Sequence, residues 1–67
     1  MNIDQLRAWH MARAATYRQS ADNTAKLPHA NEPRQRSVIK RAHENANFHV
    51  KCVAAIDEVL EELEPVA

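Results

Sequence analysis

RQRSVIKRAHENANFHVKCVAAIDEVLEEL, residues 34–63, is the stretch that decides the fold. Within it Val38, Ala42, Asn45, His49, Cys52, Ile56, Val59 and Leu63 recur at alternating spacings of four and three. That rhythm places one residue per turn on a single stripe of a helix. The stripe is apolar at its C-terminal end and mixed in the middle, where Asn45 and His49 fall. A long helix with such a seam requires a partner to cover it.

Working outward, the first half of the chain supplies that partner. Asn2 is placed to cap a helix, and Gln5, three residues on, can reciprocate as in a capping box. Ile3, Leu6, His10, Ala14, Tyr17, Ala21, Thr24 and Ala25 then fall on one face, with Trp9 beside it. Leu27-Pro28 ends the helix, because a residue before proline is pushed out of the α region. Pro28-His29-Ala30-Asn31 forms the connector, and Asn31 is expected to cap the second helix, with Glu32 and Pro33 in its first turn. Pro65 is expected to close that helix near Leu63 or Glu64. The expectation is an all-α chain: one antiparallel two-helix hairpin domain over 1–67, with helices at about 3–27 and 32–63 and a turn at 28–31.

In such a hairpin, facing residues have numbers adding to about 59. Ile3 then meets Ile56, Leu6 meets Val53, His10 meets His49, Tyr17 meets Ala42, and Ala21 meets Val38. Bulky aliphatics lie at the open end, polar rings in the middle and small residues near the turn. Asp57 to Leu63 overhang by about two turns at 3.6 residues each, leaving Val59, Leu60 and Leu63 uncovered. Trp9 and Phe48 sit beside the seam. That much apolar surface predicts association into a helical bundle as a dimer or higher oligomer, through Trp9, Phe48, Ile56, Val59, Leu60 and Leu63.

Composition narrows the function classes. A chain of 67 residues buries roughly 60% of the surface it exposes when unfolded, so it is marginal alone. Oligomerisation is a usual support at this size. The single cysteine excludes an internal disulfide and fits a reducing compartment. The Met1–Leu6 segment lacks the basic and apolar regions of a signal peptide, and no apolar run approaches the ~20 residues that span a bilayer. A soluble cytoplasmic protein, not a membrane one, is expected. Nine basic and nine acidic residues cancel, so no net field draws the chain to duplex DNA. With no glycine, phosphate-cradling loops of the P-loop or dinucleotide type are excluded, and a sheet is disfavoured.

The charges run against the helix dipole. Arg34, Arg36, Lys40 and Arg41 lie near the start of the second helix, and Asp57, Glu58, Glu61, Glu62 and Glu64 near its end. The dipole favours the reverse order by about 0.3–1 kcal/mol per charge. Either the ends pair with oppositely charged ends of other subunits, or the basic end holds an anion. For an anion the candidates are Arg34, Arg36 and Lys40 on phosphate, Arg18 and Lys26 assisting, and Tyr17 stacking on a base.

His10, His49 and Cys52 converge at mid-hairpin on this register. Three potential zinc ligands without a fourth read better as polar residues that fix register, so no metal or other cofactor is expected. Cys52 as a nucleophile needs a base and a cleft, and a thin hairpin offers no cleft. Enzyme activity is not expected. His29 and His43 read as exposed, with no partner implied.

Leu27-Pro28, Arg36-Ser37 and Glu44-Asn45-Ala46 ahead of Phe48 resemble a pattern found in small phage helical hairpins. These are the anti-CBASS and anti-Thoeris sponge proteins, which sequester cyclic-nucleotide immune signals. The resemblance covers about the middle third of the chain. The turn here is longer, and Ser37 stands where the family usually carries an acidic residue. It implies a non-enzymatic oligomer that binds a nucleotide messenger between hairpins, with basic residues near the turn on its phosphates. The alternative is an adaptor or inhibitor that docks on a larger protein through Trp9, Phe48 and Leu63.

Overall fold

A computed structural model describes residues 1–63; Glu64 and Pro65, and with them the expected helix stop, lie outside the described residues. Two helices, α1 (Ile3–Ala25) and α2 (Pro33–Leu63), pack against each other as a hairpin. The rod measures 55 × 18 × 16 Å.

Local chemistry sets the helix limits. Asn2 Oδ1 accepts from the Gln5 N–H at 2.8 Å, and Gln5 Oε1 accepts from the Asn2 N–H at 2.9 Å, a complete capping box. α1 ends at Ala25, two residues short of the expected Leu27. Tight turns carry the chain onward: the N–H groups of Leu27, Ala30 and Glu32 donate to the carbonyls of Thr24, Leu27 and His29 at 3.1, 3.1 and 3.0 Å. None of the described residues has positive φ, which is how a chain without glycine makes this connection. Pro33 is the first residue of α2, where its missing N–H leaves nothing unsatisfied. Glu32, rather than the expected Asn31, immediately precedes the helix, and its carbonyl accepts from the Arg36 N–H at 2.9 Å.

Each helix faces the other along a stripe of alternating three- and four-residue spacing. On α1 the inward residues are Ile3, Arg7, His10, Ala14, Tyr17, Ala21 and Thr24, so Arg7 takes the place expected for Leu6. On α2 they are Gln35, Ile39, Ala42, Ala46, His49, Val53, Ile56 and Leu60. This corrects the stripe read from sequence. Ala42, His49 and Ile56 face inward as expected, but Val38, Asn45, Val59 and Leu63 are exposed, and Cys52 is only half-buried at the edge. The physical reason is the content of the two alternatives. One brings Asn45 into an apolar seam without a partner; the other brings Ala46, which lets the backbones approach and leaves the amide in water.

The register read from sequence holds at mid-hairpin, where His10 meets His49. Arg7 reaches Asp57, and Leu60 is half-buried, so the uncovered overhang of α2 is shorter than the two turns expected. Leaning of helical side chains toward the N-terminus accounts for part of the offset. Arg7 therefore reaches further toward the open end of α2 than its Cα position implies. The buried core consists of Ala14, Ala21, Ala42, Ala46 and His49, and no large side chain is fully buried. Alanines permit close packing but remove little apolar area from water, at about 25 cal/mol per Å².

Candidate functional site

The middle of the rod is organised by His49, which is only 8% exposed. Its Nδ1 lies 2.8 Å from Nδ1 of His10, close enough for one ring to donate and the other to accept. Trp9 meets both imidazoles edge-on, with centroids 4.9 Å from His10 and 5.5 Å from His49. Phe48 meets His49 edge-on at 5.3 Å, and Tyr17 stacks on it at 5.7 Å with planes 12° apart. Arg13 spans the outside, its guanidinium carbon 5.6 Å from the Trp9 centroid and 5.4 Å from that of Tyr17. The spacing of Trp9, Arg13 and Tyr17 at four-residue intervals carries this arrangement in the sequence.

The electrostatics follow from the packing. Burial first, then the neighbouring His10 and Arg13, hold the His49 imidazolium below the usual histidine range. The His10–His49 bond requires at least one neutral ring, since two imidazolium rings present only donors. Toward the open end Arg7 clasps Asp57 through two bonds, Nε to Oδ1 at 2.6 Å and Nη2 to Oδ2 at 3.3 Å. That hydrogen bonding and the guanidinium charge hold the Asp57 carboxyl below its ordinary range. His49 with His10 was legible at mid-hairpin from sequence; the Arg7–Asp57 pair was not, because Leu6 rather than Arg7 was read onto the facing stripe.

The residues expected to bind an anion are only partly gathered. Arg36 and Lys40 line one groove with Pro33 and Ser37, of about 370 Å³. Arg18 lines a different groove of about 230 Å³, with Met11, Ala14, Val50 and Val53. Tyr17 is engaged with His49 and Arg13, its hydroxyl accepting from Arg13 Nη2 at 3.4 Å. Lys26 is the C-cap of α1, and Arg34 is exposed outside the groove. Pro33 and Ser37 are the groove residues that sequence reasoning did not assign to the site. Among the described residues the ion pairs are Arg7–Asp57 and an exposed His29–Glu32 contact at 3.5 Å. Arg34, Arg36, Lys40 and Arg41 at one end, and Glu58, Glu61 and Glu62 at the other, carry no counter-charge within 4 Å among the described residues.

Of the residues expected between subunits, Trp9, Phe48 and Leu63 are 45%, 60% and 70% exposed, and Val59 is exposed as well. Ile56 and Leu60 are half-buried along the seam with α1. Cys52 is half-buried, and no group of three or more metal-ligating side chains is assembled among the described residues. No helix of the described residues is long and apolar enough to cross a membrane. Comparison with protein-family models, with curated proteins and with solved structures returns no match for this chain.

Proposed function

We propose that this chain is a non-enzymatic, self-associating helical hairpin of the cytoplasm, a component of a larger helical bundle that holds a phosphate-bearing ligand of cyclic-nucleotide type at its basic end. One observation carries the proposal: the hairpin buries alanines and one histidine, while Trp9, Phe48, Val59 and Leu63 remain in water. A fold of this size stabilised by so thin a core gains from covering those side chains with another helix pair.

The ligand half rests on the Pro33–Arg36–Ser37–Lys40 groove. Two cations without a counter-charge among the described residues flank a hydroxyl there, in the first turns of α2, the positive end of its dipole. The arrangement suits phosphate oxygens, and it agrees with the sponge-like resemblance of Leu27-Pro28 and Arg36-Ser37. Arg36 and Lys40 are the principal contacts on this reading, with Arg34 next. Arg18, Lys26 and Tyr17 enter only if assembly brings them from another copy.

Thermal shift against a panel of cyclic nucleotides is the test. A ligand at 100 times its Kd adds about 2.7 kcal/mol, a rise on the order of 10 °C for a domain of this size. Arg36→Glu is expected to abolish the shift and leave the helical signal intact. No shift with any nucleotide at millimolar concentration removes the ligand half.

A second reading, an adaptor docking on a larger protein, draws on the same exposed Trp9, Phe48 and Leu63. Light scattering separates the two. A folded monomer at micromolar concentration favours the adaptor; a dimer or larger favours self-association.

A further inference from the structure

α2 carries a second seam that its own hairpin leaves uncovered. Val38, Asn45, Cys52 and Val59 recur every seven residues, each one position before Ile39, Ala46, Val53 and Leu60 of the seam facing α1. At 100° per residue they lie along one flank of that seam. The adjoining ridge, again every seventh residue, runs Arg34, Arg41, Phe48, Ala55 and Glu62. All five are exposed.

We propose that this flank packs against the same flank of a second copy, with the two rods antiparallel and the twofold axis crossing α2 beside Phe48. The proposal rests on the self-association proposed above and adds its orientation and its pairing.

Inversion about Phe48 maps the ridge onto itself. Arg34 then faces Glu62 of the partner subunit, Arg41 approaches its Ala55–Glu58 turn, and Phe48 lies next to its own copy. On the flank beside it, Val38 comes opposite Val59 of the partner subunit, and Asn45 opposite Cys52 of the partner subunit. Val38 and Phe48 thus meet apolar side chains, and Arg34 meets an anion, twice over by symmetry. The opposite arrangement, with both turns at one end, brings Arg34 and Arg41 toward their own copies and the glutamates toward theirs. Like charges then face each other at both ends.

Three observations support the antiparallel form. The charges it pairs have no counter-charge within 4 Å among the described residues. Their order opposes the dipole of α2, and an antiparallel neighbour sets an α2 C-terminus beside each α2 N-terminus, which offsets that cost. Phe48 is the middle residue of α2 (Pro33–Leu63), so inversion there overlaps the helix along its whole described length. Arg36 lies on the other flank of α2, with Lys40 beyond it, so the ligand groove stays open.

Sedimentation equilibrium on the full chain, Arg34→Glu, Glu62→Lys and the double variant tests the orientation. Each single reversal turns two symmetry-related attractions into repulsions and weakens the dimer about tenfold, while the double variant recovers to within about threefold of the parent. An acidic residue near the start of α2 favours the helix, so circular dichroism is expected to show Arg34→Glu no less helical than the parent. Unchanged or tighter association in Arg34→Glu, or no recovery in the double variant, overturns the antiparallel pairing while leaving self-association standing. A parent chain that stays monomeric at 100 µM overturns both.

Discussion

At the scale of single residues, His49 is where sequence, packing and solution behaviour meet. Its ring is held among Trp9, His10, Tyr17 and Phe48, and burial and neighbouring cations depress its protonation. A histidine whose folded pKa lies below its unfolded value binds fewer protons when folded. Stability therefore rises with pH through this window: it is full above the unfolded pKa of about 6.5 and declines as pH falls below it. The melting midpoint is expected to fall between pH 7.5 and pH 5.5, and His49→Gln to flatten that slope. An unchanged slope in the variant assigns the pH effect elsewhere. The carboxylate of Asp57 acts in a separate and lower window. Its pKa is depressed by Arg7, so its contribution is present above the ordinary carboxylate range and lost as pH falls through the folded value. Two steps of acid destabilisation are thus built into two pairs, His10–His49 and Arg7–Asp57.

At the scale of elements, α2 shows what the sequence makes legible and what it leaves open. Its helical period was plain, as was the capping box of Asn2 and Gln5; the end of α1 before Pro28 was placed two residues too late. Which of two overlapping stripes faces α1 was not plain. Val38-Ala42-Asn45-His49 and Ile39-Ala42-Ala46-His49 share every other member, and hydrophobic periodicity alone does not separate stripes one residue apart. The cost of burying Asn45 does. The His10–His49 pairing was legible, but the long-range reach of Arg7 to Asp57 was not, because alanines at Ala14, Ala21, Ala42 and Ala46 say nothing of where long side chains at the open end extend. Substitution at the two stripes should therefore differ sharply. Ala46→Leu overfills a fully buried position and is expected to destabilise the hairpin by about 1–3 kcal/mol in urea titration. Asn45→Ala, on the exposed flank, is expected to change stability within about 0.5 kcal/mol when the chain is monomeric. Equal costs at the two sites would restore the stripe that passes through Asn45. The basic cluster was partly legible too: Arg36 and Lys40 share a groove, but Arg18 and Tyr17 were drawn elsewhere because both side chains lean away from the turn.

At the scale of the whole molecule, the hairpin is a rod with cations at the bend, anions at the open end and aromatic rings between. Net charge of zero conceals this polarity, since nine basic and nine acidic residues cancel only in the sum. The rod's core holds neither Trp9 nor Phe48, and in the proposed assembly a neighbour covers them; the terminal charges then discriminate among the ways that neighbour can lie. Under that proposal melting becomes a property of concentration. If folding is completed by association, mass action moves the midpoint upward with protein concentration, because the dimer binds the folded form and not the unfolded one. A tenfold increase in concentration is worth about 1.4 kcal/mol of association free energy. For a domain of this size the midpoint is expected to rise by several degrees between 10 and 100 µM. A midpoint that stays fixed over that range, in a chain that light scattering finds monomeric, would mean that four alanines and a histidine suffice to hold the two helices together. In that event the exposed rings would be left free for a partner other than the chain itself.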